Sequence, residues 1–334
     1  MVGVDQIRIG VLAGPLEAMA KRGSNIKDML SDFKLSLRIL ANAEALIETG
    51  IYLDLLDRCT RVTGDKLFCL QTSLNQDLRQ LGLLGQTILK APTVREALEC
   101  AQIGIQYIQD GGALNVSVQR ERCIVRYQHK LDGPLSRYDV DLTVGLLANI
   151  IKSAKASVQG NLKLYFPSAS AAMTPLENVR CIGSNDGRVE FDKQVLNSPM
   201  ALYEEATFYV LERFHRIYVN HSYRNSGFEG IVECILTAMI GMIKPSLQAT
   251  SMLLGIGVRR LQRQLRREGT SFRELRDRVR QKAALHDMTL GKSMTDIAFK
   301  LGYDHSSNFS TAFLRWFGQQ PSTYRFDFRD PQAL

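Results

Sequence analysis

The chain has 334 residues, 45% hydrophobic and 23% charged, a balance that suits a globular protein with more than one core. Its net charge is +8, and from Ser226 onward 16 Lys and Arg stand against 10 Asp and Glu, so most of the excess sits in the last third. Six dispersed cysteines without a C-x-x-C pair, and five histidines that do not cluster with them, argue against a metal site and fit reduced core thiols.

Residues 1–29 hold Gly10, Gly14-Pro15 and Gly23-Ser24, which predicts an irregular lead. Met1–Gly14 has none of the features of a signal peptide, and the longest apolar runs, Val144–Ile151 and Cys234–Ile243, are too short to span a bilayer, so a cytoplasmic protein with no membrane partner is expected. From Leu30 to Gln109 the spacing is helical. Leu37, Leu40, Ala41, Ala45 and Ile47 form one stripe, and Leu53, Leu56 and Cys59 begin another after Gly50. Thr63-Gly64-Asp65 punctuates, and a further helix opens at Pro92-Thr93 with Val94, Ala97, Leu98, Ala101 and Ile105 on one face.

The period then changes from helical to alternating. Leu114, Val116 and Val118 alternate with polar residues, and Ile124 to Tyr127 follow a turn at Glu121-Arg122, so 113–128 reads as a hairpin. A helix is expected from Tyr138 to Ala156, then strands at Leu162–Phe166 and Gly187–Phe191. Together these predict an α+β domain with a small mixed sheet over residues 30–218. Pro199–Tyr218 reads as one long helix, either for dimerisation or packed on its own domain. Polar residues 219–229, with Asn225-Ser226-Gly227, read as a linker.

Residues 230–334 carry only helical patterns. Phe228–Ile243 ends at Lys244-Pro245, and Ser246 can cap Leu247–Leu254. Leu254-Gly255-Ile256-Gly257 then turns into a basic amphipathic helix over 258–268. Ser271 caps a long connecting helix, Phe272–Thr289. After Gly291, Ser293 caps Met294–Leu301, the chain turns at Gly302-Tyr303, and Ser307–Phe317 follows, ended by Gly318, with a last short turn at Pro321–Arg325. Helix, glycine turn, helix is thus written twice, which is the pattern of paired helix-turn-helix motifs.

The second helix of each copy has chemistry suited to DNA. Leu261 and Leu265 must face inward, which turns Arg259, Gln262, Arg263 and Arg266 outward. Arg259, Gln262 and Arg263 can pair with guanine or adenine edges, whereas Arg260, Arg266 and Arg267 suit phosphates. The plainer account of this charge is a solvated helix face. In the second copy Phe309, Phe313, Trp316 and Phe317 make an aromatic core stripe, a better account of Trp316 than base stacking. The opposite side offers His305, Ser306, Ser307, Asn308, Ser310 and Thr311. Of these, Ser306, Ser307, Asn308 and Thr311 are the expected base contacts, with Ser310 and Arg315 on phosphates.

These residues resemble the DNA-binding domain of the AraC/XylS family of bacterial transcription regulators. The resemblance runs from Asp296-Ile297-Ala298 through Leu301-Gly302-Tyr303, Ser307-Asn308-Phe309-Ser310, Ala312-Phe313, Arg315-Trp316, Gly318 and Pro321 to Tyr324-Arg325. It includes Leu261-Gln262-Arg263, Leu265 and Glu268 to Phe272 in the first copy. Thr250-Ser251 and Gly257 depart from the family, which has an apolar residue, alanine and a serine cap there; all are small, and Gly for Ser at a cap costs a few tenths of a kcal/mol. The resemblance implies two helix-turn-helices joined by the long helix, reading successive major-groove segments about 34 Å apart. It further implies a homodimer, and an activator's contact with RNA polymerase.

Residues Thr63-Gly64-Asp65, Leu81–Gly85, Ala91–Leu98, Phe191-Asp192, Leu196 and Pro199-Met200 resemble the arabinose-binding-like sensory domain of the subgroup that includes the ornithine-utilisation regulators. A small-molecule effector or a protein contact there is implied; arabinose itself is not. Two other readings stand beside the sequence-specific regulator. One is an architectural DNA binder without an effector, the other an enzyme with a DNA-binding tail. Against the enzyme, the chain has no nucleotide loop, no G-x-S-x-G and no H-E-x-x-H, so neither catalytic residues nor a cofactor are expected, and His129 and His215 read as surface or core residues.

Overall fold

The computed structural model describes residues 5–130, 133–155, 162–169, 179–220 and 227–324. Contacts divide the chain into two compact units, Met1–Phe208 and Tyr209–Leu334.

In the first unit the described part of the expected irregular lead, from residue 5 on, is ordered and structural. Strand β1 (Gln6–Arg8) pairs antiparallel with β2 (Leu46–Glu48), a short turn covers Ile9–Leu12, and helix α1 runs over Ala13–Lys21. Ile7, Ile9, Val11, Leu12, Leu16 and Met19 are all buried. The glycines serve packing here: a Cβ on Gly10 would lie 2.4 Å from the carbonyl oxygen of Gln80. Arg8 is buried too, donating from Nε to Tyr107 O and from Nη1 to Glu44 O.

After α2 (Ile26–Ser31), the expected helical stripe from Leu37 to Ile47 is instead a 3-10 turn at Leu37–Ala41 followed by β2. Apolar spacing alone cannot separate these, and pairing with β1 decided it. Four helices follow: α3 (Thr49–Thr63), ended by left-handed Gly64; α4 (Phe68–Leu74); α5 (Gly82–Lys90); and α6 (Val94–Ile108), capped by Thr93. The face predicted for α6, from Val94 to Ile105, is buried throughout.

The hairpin is β3 (Ala113–Gln119) with β4 (Arg122–Gln128). Helix α7 (Ser136–Lys152) and strands β5 (Lys163–Phe166), β6 (Arg180–Gly183) and β7 (Arg188–Asp192) complete a five-stranded sheet of order β3-β4-β7-β5-β6. The β5–β6 pair is parallel and the rest antiparallel, so the sheet is mixed. β6 has no clear alternation in the sequence and escapes prediction. Cys123, Val125, Tyr127, Leu164, Phe166, Val189 and Phe191 alternate onto the buried face.

Helix α7 contacts both this sheet and the helical layer, and most of its residues are buried. Its approach to α4 requires a glycine, because a Cβ at Gly145 would lie 1.9 Å from Ser73 Oγ. Asn149 Nδ2 fastens the same contact by donating to Ser73 O at 3.0 Å and Gln76 O at 2.7 Å. Its expected last residue, Ala156, lies outside the described residues.

Helix α8 spans Glu205–Asn220 and starts later than the expected Pro199, because Pro199 and Met200 are held in bridges to Thr93 and Ala154. From Tyr209 it groups with the second unit. Arg213 Nη1 donates to Ile240 O at 2.8 Å, and Cys234 Sγ to Phe214 O at 3.6 Å. Of the expected linker, residues 221–226 are not among those described.

The second unit continues with α9 (Gly227–Met239), α10 (Leu247–Leu253), α11 (Val258–Arg267), α12 (Phe272–Thr289), α13 (Met294–Lys300) and α14 (Ser306–Phe317). The described residues after Tyr209 include no strand.

Candidate nucleic-acid interface

Each helix-turn-helix is built from a capped helix, a left-handed glycine and a second helix. In the first, Ser246 Oγ accepts from Ala249 N to start α10, Gly255 turns the chain at φ +63°, and Gly257 opens α11 in an extended conformation. In the second, Ser293 Oγ accepts from Asp296 N, and Gly302 turns at φ +80°. A side chain at Gly302 would be doubly resisted, since its Cβ would also lie 2.8 Å from Pro245 Cδ.

The two are joined by α12, whose start is a full capping box. Ser271 Oγ accepts from Glu274 N at 3.3 Å, and Glu274 Oε2 accepts from Ser271 N at 2.7 Å. Glu268, just past the end of α11, reaches the start of α9 and accepts from Phe228 N and Glu229 N at 3.2 and 2.7 Å. The end of the first motif's second helix thereby caps the first helix of the bundle.

Leu261 and Leu265 are fully buried and orient α11 as their spacing requires. Arg259, Arg263, Arg266 and Arg267 are exposed, and Arg260 and Gln262 are half-buried. On α14, Phe309 and Phe313 are fully buried, whereas Ser306, Ser307, Asn308 and Thr311 are exposed and Ser310 is half-buried. Ser310 and Thr311 donate their hydroxyl protons to Ser306 O and Ser307 O, which leaves their lone pairs as the outward groups.

One expectation needs correction. Trp316 and Phe317 are half-buried rather than core, because the inward stripe of α14 is carried by Phe309, Ala312 and Phe313. Trp316 lies edge-on to Phe317, at 6.3 Å between ring centroids. Arg315 is exposed but already has a protein partner, donating to Asp277 of α12 at 2.8 Å. Arg325 lies outside the described residues.

Two residues that the sequence pattern does not single out hold the second motif on α12. Arg280 is 5% exposed, donates to Leu301 O and stacks on Tyr303 at 4.2 Å, and burial lowers its pKa. Asp287 is wholly buried and accepts from Lys300 at 2.6 Å and Lys292 at 2.9 Å. Burial alone would raise its pKa, but these two hydrogen bonds outweigh it and hold the carboxyl below the usual value. The available signal was two charged residues among the apolar positions of α12, Leu275, Val279, Ala284 and Met288.

Among the described residues no group of three or more His, Cys, Asp or Glu could hold a metal ion, and no helix is long and apolar enough to cross a membrane. The site is therefore a surface of guanidinium, amide and hydroxyl groups on two helices.

An α+β domain followed by a helical unit with two helix-turn-helices defines a DNA-binding regulator. Residues 23–200 match the family described as the arabinose-binding domain of AraC transcription regulator, N-terminal, and residues 251–326 match the helix-turn-helix domain. The chain belongs to the AraC family of transcription regulators. It is 33% identical over 133 residues to an ornithine utilization regulator of Pseudomonas aeruginosa, which is 40% of this chain and 39% of that protein. It is 28% identical over 153 residues to an uncharacterised HTH-type transcriptional regulator of Mycobacterium tuberculosis, covering 46% of this chain and 44% of the relative. The matches thus span less than half the length of these relatives. The crystal structure of the transcriptional regulator CdpR from P. aeruginosa aligns over 93% of this chain and 96% of its own, at 18% identity and a TM-score of 0.42. The family and these relatives regulate transcription and are not enzymes.

Proposed function

We propose that this protein is a sequence-specific regulator that lays α11 and α14 into successive major-groove segments of one duplex, as a homodimer. The observation that carries this reading is the pair of second helices, each fixed by buried Leu or Phe on one side and polar on the other. Arg259, Gln262 and Arg263 read base edges from α11, while Arg260, Arg266 and Arg267 meet phosphates. Ser306, Ser307, Asn308 and Thr311 approach bases from the start of α14, and Ser310 and Arg315 hold the backbone. Arg315 must exchange Asp277 for a phosphate to do so. The division proposed is a sensory domain, a linker at 219–229 and a DNA-binding domain from 230. The first unit responds to a small-molecule effector, and the bound protein acts as an activator through RNA polymerase. The relative named for ornithine utilization supports a metabolite signal.

Footprinting with gel-shift titration against cognate and random duplexes tests this. Two protected segments one helical turn apart per chain are expected, with cognate affinity at least about a thousandfold above random. Binding that depends on salt but hardly on sequence would favour an architectural protein instead.

A further inference from the structure

Helix α9 carries none of the candidate contacts, yet each of its ends is fastened to a different helix-turn-helix. At its start, Glu268 from the end of α11 accepts from Phe228 N and Glu229 N at 3.2 and 2.7 Å. The fit there is close, since Gly227 sits at φ +60° and a Cβ on it would lie 3.3 Å from Glu268 Oε2. A carboxylate in this place also meets the positive end of the α9 dipole. Just past its other end, the chain grips the second motif. Gly241 N donates to Lys300 O at 3.0 Å, and Pro245 leaves no room for a side chain at Gly302. Lys244 Nζ adds bonds to both Asp304 oxygens at 3.0 and 2.8 Å. That last pair is exposed and contributes little, so the main-chain bond and the packing carry this end.

Between its ends α9 lies along α12. Arg278 donates to Glu229 at 2.8 Å and to Glu233 at 3.3 Å, and Lys282 donates to Glu233 at 2.7 Å. Later residues of α9 thus face later residues of α12, and both helices run from the first motif toward the second. They meet at Lys300, whose main-chain oxygen is held from the α9 side while its ammonium reaches Asp287 of α12 at 2.6 Å. With 13 residues, α9 is about 20 Å long. A single connecting helix leaves two motifs free to twist about its axis. A second one, attached elsewhere on each motif, removes that freedom.

We propose that α9 is a second spacer beside α12, and that Glu268 is a positioning residue acting through it to fix the distance and angle between α11 and α14. The device decides which spacing of two DNA segments the protein accepts. It rests on the reading of α11 and α14 as the DNA-contacting pair and adds the selection of spacing to it.

The test is gel-shift titration of the full chain on the cognate duplex and on one with a base pair inserted between the two protected segments. The insertion moves the second segment by about 3.4 Å and turns it by about 35°. Wild type binds the altered duplex at least about tenfold more weakly. Glu268→Ala lowers that ratio by about fivefold, the worth of a helix cap. Loss of its negative charge acts on both duplexes alike and cancels in the ratio. Ser293→Ala removes a cap of similar worth inside the second motif and leaves the ratio unchanged. A second measurement needs no DNA: the distance distribution between spin labels at Arg263→Cys and Thr311→Cys. It is made on a Cys181→Ser background, the other five cysteines being buried. Glu268→Ala broadens that distribution and Ser293→Ala does not. The proposal is overturned if wild type tolerates the insertion, if Glu268→Ala leaves the ratio or the distribution as in wild type, or if Ser293→Ala relaxes them as far. A wild type without sequence-specific binding would sink the regulator reading, and the spin-label distances would still decide whether α9 holds the two motifs.

Discussion

Arg280 donates from Nε to the main-chain carbonyl of Leu301 at 2.9 Å, so a buried guanidinium in the connecting helix supports the turn of the second helix-turn-helix. The carbonyl of Gly302 lies at 3.5 Å from Nη2, and the Tyr303 ring covers the guanidinium. Arg280→Met keeps the stem but leaves those carbonyls without a donor in a buried site. A loss of about 2–4 kcal/mol follows from unsatisfied buried acceptors. Chemical denaturation of the full chain measures it, and an unchanged midpoint would contradict the assignment.

Asp287 gives the same motif a dependence on pH. Its pKa is depressed in the folded state, so its contribution is present above the unfolded value of about 3.9 and is lost as pH falls through the folded value. Asp287→Asn should cost roughly 2–3 kcal/mol at neutral pH, with the difference from wild type closing below about pH 3.9. Thermal melts across that range would show it. A gap that stays constant down to pH 2 would mean that charge is not what Asp287 contributes.

Arg263 is exposed on α11, on the side opposite Leu261 and Leu265. Arg263→Ala should lower cognate affinity by about 1–3 kcal/mol and random-duplex affinity by much less. Equal losses on both duplexes would make it a phosphate contact.

Arg315 pairs with Asp277 at 2.8 Å, and on the proposed reading that pair must open before Arg315 can meet a phosphate. Asp277→Asn should tighten binding to any duplex by less than about tenfold and steepen the log–log salt slope by about 1. A gain confined to one sequence would instead put Arg315 at a base edge.

From Tyr209 onward α8 groups with the second unit, and Val210, Leu211 and Phe214 are fully buried. A fragment beginning at 205 should therefore melt several degrees above one beginning at 226, since each such side chain is worth roughly 1.5–3 kcal/mol when buried. Equal melting temperatures would mean that α8 adds nothing to the stability of the second unit.

The helix-turn-helix pair was legible because its signals are local. Ser271 with Glu274, Gly255 and Gly302, and the four-residue spacing of Leu261 and Leu265 act within a few positions of one another, where sequence alone specifies geometry. The hairpin at Glu121 and the buried face of α6 were readable for the same reason. The stripe from Leu37 to Ile47 misled because its spacing suits a helix, whereas residues 46–48 were claimed by a strand some forty positions earlier.

Sequence by itself determined the helices that carry the candidate contacts, their caps, and which leucines must turn inward, since hydrogen bonds over three or four residues need no distant partner. Only the tertiary structure decided which charged groups are buried and what satisfies them. Asp139 meets Tyr52 across 87 positions, and Arg280 and Asp287 find their partners across turns. Their pKa shifts arise from burial and from partners supplied by other chain segments, quantities that no local pattern encodes.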